Sequence, residues 1–347
     1  MATRSRDRMS AVDLTASDEE FARVTEPFRR ELMAHCYRML GSVHDAEDIV
    51  QETYLRAWRS YRGFENRSSV RTWLYRIATN ACLTALQHRS RRVLPSALGG
   101  PADNPYAEPV SAGPEVAWLQ PIPTAWVSSA SDDPAAVIAS RESMRLALIA
   151  SLQHLPAQQR AVLMLRDVLA FPAAEVAAML GISIPAVKSA LQRARARIKE
   201  AAPTADDDII EPTEPQARAL LEQYIAAFEN ADPSMLEKAL RQDAALEMVG
   251  SRTWFAGRKT CLPFIATQVL GSPGDWRMLA IDANGQPAAA AYRRGEDGSL
   301  HAFGIAVLTI TATGITRIVV FEDPGLVTRF NLPQVGSQAP GTSGAGR

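Results

Sequence analysis

The stretch DAEDIVQETYLRAW, residues 45–58, decides how this chain is read. Its residues Ala46, Ile49, Val50, Thr53, Tyr54, Ala57 and Trp58 recur at helical spacing and predict one buried face. Asp45, Asp48 and Glu52 fall at i, i+3 and i+7 along another face, and Glu47 and Gln51 extend it. Acids in a first helical turn favour the macrodipole, which accounts for Asp45, Glu47 and Asp48 without any partner. Glu52 lies too far along for that explanation. A face that mixes acids with apolar residues also suits a basic groove on another protein. Just upstream, Gly41 ends a helix carrying Phe28, Leu32, Cys36, Met39 and Leu40 at helical spacing. Ser42, with Asp45 three residues on, then forms a capping-box pattern.

Downstream, residues 63–68 read as a loop and 69–88 as a third helix. Val70, Leu74, Ile77, Ala81 and Ala85 form its expected core stripe. Trp73, Arg76 and Asn80 lie together beside that stripe. An aromatic, a cation and an amide on one exposed strip suit single-stranded DNA through stacking, phosphate contact and a base-edge hydrogen bond. Phe64 and Asn66 in the preceding loop are placed to join them. Against this stands the bland alternative that Trp73 is a core residue.

Residues 93–134 are punctuated by prolines among Gly, Ser and Ala and read as a linker. Trp118 and Trp126 within it suggest that part of it docks on a surface. Helices are expected over 134–154, 156–168, 172–180 and 183–200. The last two form a helix-turn-helix pattern: Val176, Ala177 and Leu180 face inward, Gly181 permits the turn and Ser183 caps the next helix. In that second helix Val187, Leu191, Ala194 and Ile198 face the core. Ser189, Gln192 and Arg193 lie opposite, with Lys188 and Arg195 on a flank. Residues 185–199 hold Lys188, Arg193, Arg195, Arg197 and Lys199 without an acid. Small Ser189 permits close approach to DNA, Gln192 or Arg193 can make bidentate base contacts, and the cations can meet phosphates.

After an acidic linker, 201–213, the chain changes character. Helices at about 214–230 and 233–241 precede a strand at 244–249, a helix at 258–270, and strands at 276–283, 288–293, 300–310 and 315–321. Asn284-Gly285, Asp297-Gly298 and Thr313-Gly314 supply turns.

The strings YRMLGSVHDAEDIVQETYLRAW and TWLYRIATNACL resemble region 2 of extracytoplasmic-function sigma factors of the sigma-70 family. LPAQQRAVLMLRDVLAFPAAEVAAMLGISIPAVKSALQRARARIK resembles their region 4. Two independent motifs in the right order make the resemblance specific. It implies a multidomain chain: an all-α sigma region 2 over 25–92, a linker over 93–138 and an all-α region 4 helix-turn-helix over 139–200. It implies that Asp45, Asp48, Gln51 and Glu52 dock on core RNA polymerase. It implies that Phe64, Asn66, Trp73, Arg76 and Asn80 melt and read the -10 element of promoter DNA. Lys188, Ser189, Gln192, Arg193, Arg195 and Arg197 would read the -35 element. The α-α-β-α-β-β-β-β order over 214–335, with Trp254, Phe255 and Gly257 before its third helix, resembles a SnoaL-like (NTF2-like) α+β cone domain. Such domains have an apolar pocket, so a small-molecule ligand, or control of the sigma modules themselves, is expected of it. Glu247, Asp282, His301 and Asp323 are its available acid/base groups. Fold analogy does not assign catalysis, and no enzymatic activity is expected. Residues 1–24 and 336–347 read as flexible tails.

Whole-chain composition agrees. The 347 residues carry a formal charge of -1, so basic character is local rather than global. Region 25–92 is rich in arginine, and the part after 203 is acidic. The three cysteines, Cys36, Cys82 and Cys261, lack ligand spacing, so neither a metal nor another cofactor is expected. The lack of a long apolar run points to a cytoplasmic protein with no membrane partner. A one-component helix-turn-helix regulator with a ligand domain is the alternative. It explains neither the acidic helix nor the Trp73, Arg76 and Asn80 strip. A second alternative, a bifunctional protein with an enzymatic C-terminal domain, needs a matched acid/base pair in a pocket.

Overall fold

The computed structural model describes residues 11–61, 68–87, 90–128, 134–201, 209–211 and 214–336. The helices are α1 (Ala11–Thr25), α2 (Arg29–Leu40), α3 (Val43–Ser60), α4 (Val70–Leu86), α5 (Thr124–Val127), α6 (Pro134–Glu142) and α7 (Leu146–Gln153). They continue with α8 (Ala157–Leu163), α9 (Ala173–Leu180), α10 (Ile184–Ala201), α11 (Pro215–Glu229), α12 (Pro233–Ala239), α13 (Arg258–Phe264) and α14 (Pro324–Arg329). The strands are β1 (Leu240–Val249), β2 (Trp254–Ala256), β3 (Trp276–Ala283), β4 (Gln286–Arg294), β5 (Leu300–Thr311), β6 (Gly314–Phe321) and β7 (Val335–Gly336).

The chain forms two compact units. One holds residues 1–40, 44–89 and 157–194; the other holds 41–43, 90–156 and 195–347. The first is helical. Ser69 caps α4 by accepting a hydrogen bond from the Thr72 N–H at 3.0 Å. Trp73, Leu74, Tyr75, Ala78, Ala81 and Cys82 of α4 are buried, and α4 packs against α2, α8 and α9. Residues expected to be a loose tail are helical from Ala11. The reason is Phe21, which is buried with its ring edge-on to Tyr54 and Tyr61. Its burial ties α1 to α3.

The second unit centres on a seven-stranded sheet in the order β2-β1-β6-β5-β4-β3, with β7 beside β5. β1 and β6 pair in parallel; the other pairs are antiparallel. Asn284 and Gly285 both have positive φ, +56° and +67°, as the tight turn between β3 and β4 requires. One face of the sheet packs on α11, α12 and α13, where Leu246, Met278, Ala289, Ala291, Ala306, Leu308 and Ile318 join the helical core. The run Ala288, Ala289, Ala290 and Ala291 is at most 3% exposed, so β4 is buried on both faces. This is the α+β helix and strand order that the SnoaL-like resemblance implies. β2, α14 and β7 are additions that the sequence did not announce. Each is six residues or fewer, too short for periodicity to register.

The proline-rich linker lies on this second unit. Val93 pairs with Trp118, and the Leu119 N–H donates to the Val93 carbonyl at 3.0 Å. Leu119 and Ile122 are fully buried. Trp118 and Trp126 are half-buried. The expected single helix over 134–154 is broken between α6 and α7. Two side chains of the β3–β4 hairpin satisfy the break: Asn284 Nδ2 donates to the Met144 carbonyl at 2.8 Å, and the Leu146 N–H donates to Gln286 Oε1 at 2.9 Å. No single described helix is long and apolar enough to cross a membrane.

Candidate nucleic-acid interface

The helix-turn-helix is built as its sequence predicts. Gly181 adopts φ +65°, a left-handed conformation that costs glycine nothing, and closes α9. The Ala186 N–H donates to Ser183 Oγ at 3.3 Å at the start of α10. The axes of the two helices differ by 99°. Val187, Ala190 and Ala194 of α10 are buried, with Leu191 and Ile198 half-buried. That leaves Lys188, Ser189, Gln192, Arg193, Arg195 and Arg197 exposed, all six of the residues picked out for DNA contact. The spacing of small Ala190 and Ala194 against Val187 fixes this face, since a helix carries i, i+3, i+4 and i+7 on one side.

On α4 the strip is divided. Arg76 and Asn80 are exposed, but Trp73 is 5% exposed and belongs to the core. Its expected role on an open surface is therefore corrected: its ring lies 6.4 Å from that of Tyr61, in the packing between α3 and α4. Burying an indole removes far more apolar area from water than burying Val70 or Ala85, so the core face turns toward Trp73. Asn80 is also not free of protein. Its Nδ2 donates to the Met179 carbonyl of α9 at 3.3 Å, and Thr72 Oγ1 donates to Glu175 of α9 at 3.1 Å. The amide and the first helix of the helix-turn-helix thus occupy the same face of α4. Phe64 and Asn66 lie outside the described residues.

On α3, Ala46, Ile49, Val50, Thr53 and Ala57 are buried as expected. Asp48 and Gln51 are exposed, and Asp45 and Glu52 are half-buried. Glu52 pairs with Arg56 at 2.5 Å. Trp58 departs from expectation: it is 48% exposed, with Nε1 donating to Asp18 of α1 at 2.9 Å. Leu55, 56% exposed, was missed. It follows Asp48 and Gln51 by seven and four residues, so helical spacing alone places it on the acidic face. That face is a row of acids and an amide flanked by two exposed large apolar side chains.

The four acid/base candidates of the C-terminal part do not converge. Glu247 is fully buried, accepting from the Ser96 N–H at 2.8 Å and from Arg317 at 2.5 Å. His301 is exposed and bonded to Asp297 at 3.0 Å. Asp323 caps α14 by accepting from the Gly325 N–H at 2.8 Å. Asp282 is exposed; partial desolvation pushes its carboxyl above the usual range, opposed by Arg141 and Arg218. None of the four lines the cavity between α11, α13 and the sheet. Among the described residues, no group of three or more His, Cys, Asp or Glu side chains is placed to hold a metal ion.

Comparison with known proteins fits this geometry. Residues 25–92 match the family model described as Sigma-70 region 2, and residues 145–198 match Sigma-70, region 4. The chain is 49% identical over 315 residues to the ECF RNA polymerase sigma factor SigG of Mycobacterium tuberculosis, covering 90% of this chain and 84% of that protein. It is 35% identical over 170 residues to SigJ of the same organism, covering 49% and 47% of the two chains. The crystal structure of Mycobacterium tuberculosis SigJ covers 91% of this chain and 99% of its own with a TM-score of 0.54. At 24% identity that likeness is one of fold.

Proposed function

The chain belongs to the extracytoplasmic-function RNA polymerase sigma factors, so it directs core RNA polymerase to promoters, and we propose how its surfaces divide that task. The exposed face of α10 reads the -35 element in the major groove. Gln192 and Arg193 contact base edges there, and Lys188, Arg195 and Arg197 contact phosphates. Arg76 and Asn80 of α4, with Phe64 and Asn66 of the preceding loop, engage the melted -10 strand. Trp73 supports that surface from beneath. Asp45, Asp48, Gln51 and Glu52 of α3 meet a basic groove on core polymerase, with Leu55 and Trp58 at the edge of the contact. The functional modules are 25–92, 139–200 and 214–335, joined by linkers at 93–138 and 201–213. The protein acts in the cytoplasm without enzymatic turnover of its own.

The observation that carries this reading is the exposed basic face of α10, turned outward by Gly181 and three buried residues, on a chain that also holds region 2. The bond between Asn80 and Met179 supports a further step. Asn80 would meet a base by exchanging its bond to the Met179 carbonyl for one to DNA. The C-terminal domain controls the sigma modules by holding the linker, and a small molecule is its proposed partner.

Promoter-specific transcription with purified core polymerase tests the assignment. The full chain should stimulate a subset of promoters. Asn80→Ala should impair promoter opening more than duplex binding, with a loss of roughly 1–3 kcal/mol for one base contact. Equal loss in both steps would place Asn80 outside the reading surface. No stimulation on any promoter of a genomic library would reject the sigma assignment itself.

A further inference from the structure

α10 begins with two exposed residues for which phosphate contacts have no use. Ile184 and Pro185 open the helix, and both are exposed, Ile184 by 42%. A single exposed isoleucine is ordinary on a protein surface. Here two apolar residues stand side by side at the tip of a helix whose exposed face is otherwise polar or basic except for Ala196. Helix stability gives a reason for one of them only. Proline suits a first turn, where its missing N–H has no helical partner to lose. Ile184 is β-branched, a type that loses side-chain freedom in a helix, and it fills no core.

The tip is also poorly equipped to hold a phosphate, the common occupant of a helix N-terminus. Pro185 has no N–H, and the Ala186 N–H is taken by Ser183 Oγ at 3.3 Å. The cations lie further along. Lys188, Arg195 and Lys199 follow one another at i, i+7 and i+11 on one flank, with Arg193 and Arg197 at i and i+4 on the other. Between these rows run Pro185, Ser189 and Gln192, at i, i+4 and i+7. A neutral stripe between two cationic rows fits a helix lying in the major groove, with a phosphate backbone on either side and base edges beneath. Ser189 Oγ donates to the Ala186 carbonyl at 3.2 Å, so its proton is spent within the helix. At its tip the stripe therefore offers apolar surface, and the apolar feature of the major groove is the thymine methyl group.

We propose that Ile184 and Pro185 seat against the 5-methyl groups of thymines in the -35 element and so help to determine which promoters the chain selects. The proposal rests on reading α10 as the -35 reader, and it adds two specificity-determining residues and the base they recognise. The contact is one of packing: each methyl leaves water for the Ile184 side chain or the Pro185 ring. Cytosine at such a position would set an amino group against the apolar tip, and uracil would leave the contact unfilled.

The test uses the full chain with core polymerase and a promoter that it transcribes from a genomic library. Each thymine of the -35 element is replaced in turn by deoxyuridine, which removes a methyl group and leaves every hydrogen-bonding atom in place. At one or two positions the replacement should weaken binding by about fourfold, the worth of burying one methyl-sized group. A variant carrying Ile184→Ser and Pro185→Ser should bind the thymine and deoxyuridine promoters equally. Both residues are exposed, so its thermal unfolding should match that of the wild type. Should it lose its unfolding transition, Ile184→Ala decides, and it too should reduce the sensitivity to deoxyuridine. Full sensitivity in these variants, or no sensitive thymine with the wild type, overturns the proposal. Arg193→Ala keeps the two readings apart. If it weakens -35 binding while deoxyuridine changes nothing, α10 reads the element without its apolar tip. If it too leaves -35 binding unchanged, the assignment of α10 itself fails.

Discussion

His35 shows how much one buried residue can commit a module to a pH range. It is 1% exposed, its Nε2 lies 2.9 Å from Thr79 Oγ1, and Nδ1 has no partner among the described residues. Burial, with the nearby Arg38 charge adding to it, lowers its pKa from the ordinary 6.5 to about 3. Between those values the unfolded chain binds a proton that the folded chain does not. Stability is therefore full above pH 6.5 and falls as pH drops toward 3, by roughly 2 kcal/mol at pH 5. Urea unfolding of the helical unit at pH 7 and pH 5, for wild type and His35→Gln, checks this: the variant should lose less on acidification. A His35 ring resonance that titrates near 6.5 in the folded protein would contradict the burial. The sequence marked His35 only as one of five histidines. Trp73 is the companion case, because the strip it was assigned to and the core it occupies differ by a modest rotation of α4. Residue type could not choose between them; burial against Tyr61 did.

At the scale of the element, α3 was legible because its pattern is local. Ala46, Ile49, Val50, Thr53 and Ala57 share a face by helical geometry alone, and all are buried. The end of the helix was less legible. Trp58 looks like core in sequence, but it projects outward and bonds to Asp18, on a helix that polar composition had suggested was a tail. Its acidic face leads to a direct test. Reversing Asp48 and Glu52 to lysine should weaken core polymerase binding by tenfold or more, with salt sensitivity reduced. The fold should change little, because Asp48 is exposed and the Glu52–Arg56 pair is a surface pair worth at most about 1 kcal/mol. Pull-down with core polymerase, alongside thermal unfolding, distinguishes the two. Intact binding would make the acidic row a feature of helix stability. The helix-turn-helix behaves similarly: Gly181, Ser183 and the 3.6-residue period set which six residues of α10 proposed for DNA contact are exposed.

For the molecule as a whole, the linker is the main lesson. Composition gave it no internal periodicity, and a proline-rich segment free of partners would be extended and solvated. Instead, the Ile122 N–H donates to Asn284 Oδ1 at 3.0 Å, the Ser96 N–H to Glu247, and the Trp254 indole to the Gly99 carbonyl at 2.9 Å. Asn284 is fully buried and serves both Ile122 and Met144. Asn284→Ala should leave two buried backbone groups unpaired, at about 1–3 kcal/mol each, and should loosen residues 93–123. Limited proteolysis should then cut that segment faster in the variant than in the wild type; equal and rapid cutting of both would show that the linker is not held. By itself the sequence determined α2, α3, α4, α9 and α10, the turn of the helix-turn-helix, the acidic face and the α-to-β order of the C-terminal domain. Each is written in neighbours a few residues apart, through periodicity, capping and turn chemistry. Only the tertiary structure decided that Trp73 is core, that Asn80 rests on Met179, that the linker is stored on the sheet and that Tyr224 faces a cavity. The Asn80 and linker outcomes depend on partners about 100 residues or more distant, as with Asn80 and Met179 or Ile122 and Asn284; Trp73 depends on how α4 rotates against the Tyr61 ring, and the cavity on space left between packed elements. Local pattern carries no record of which distant surface will remove a side chain from water.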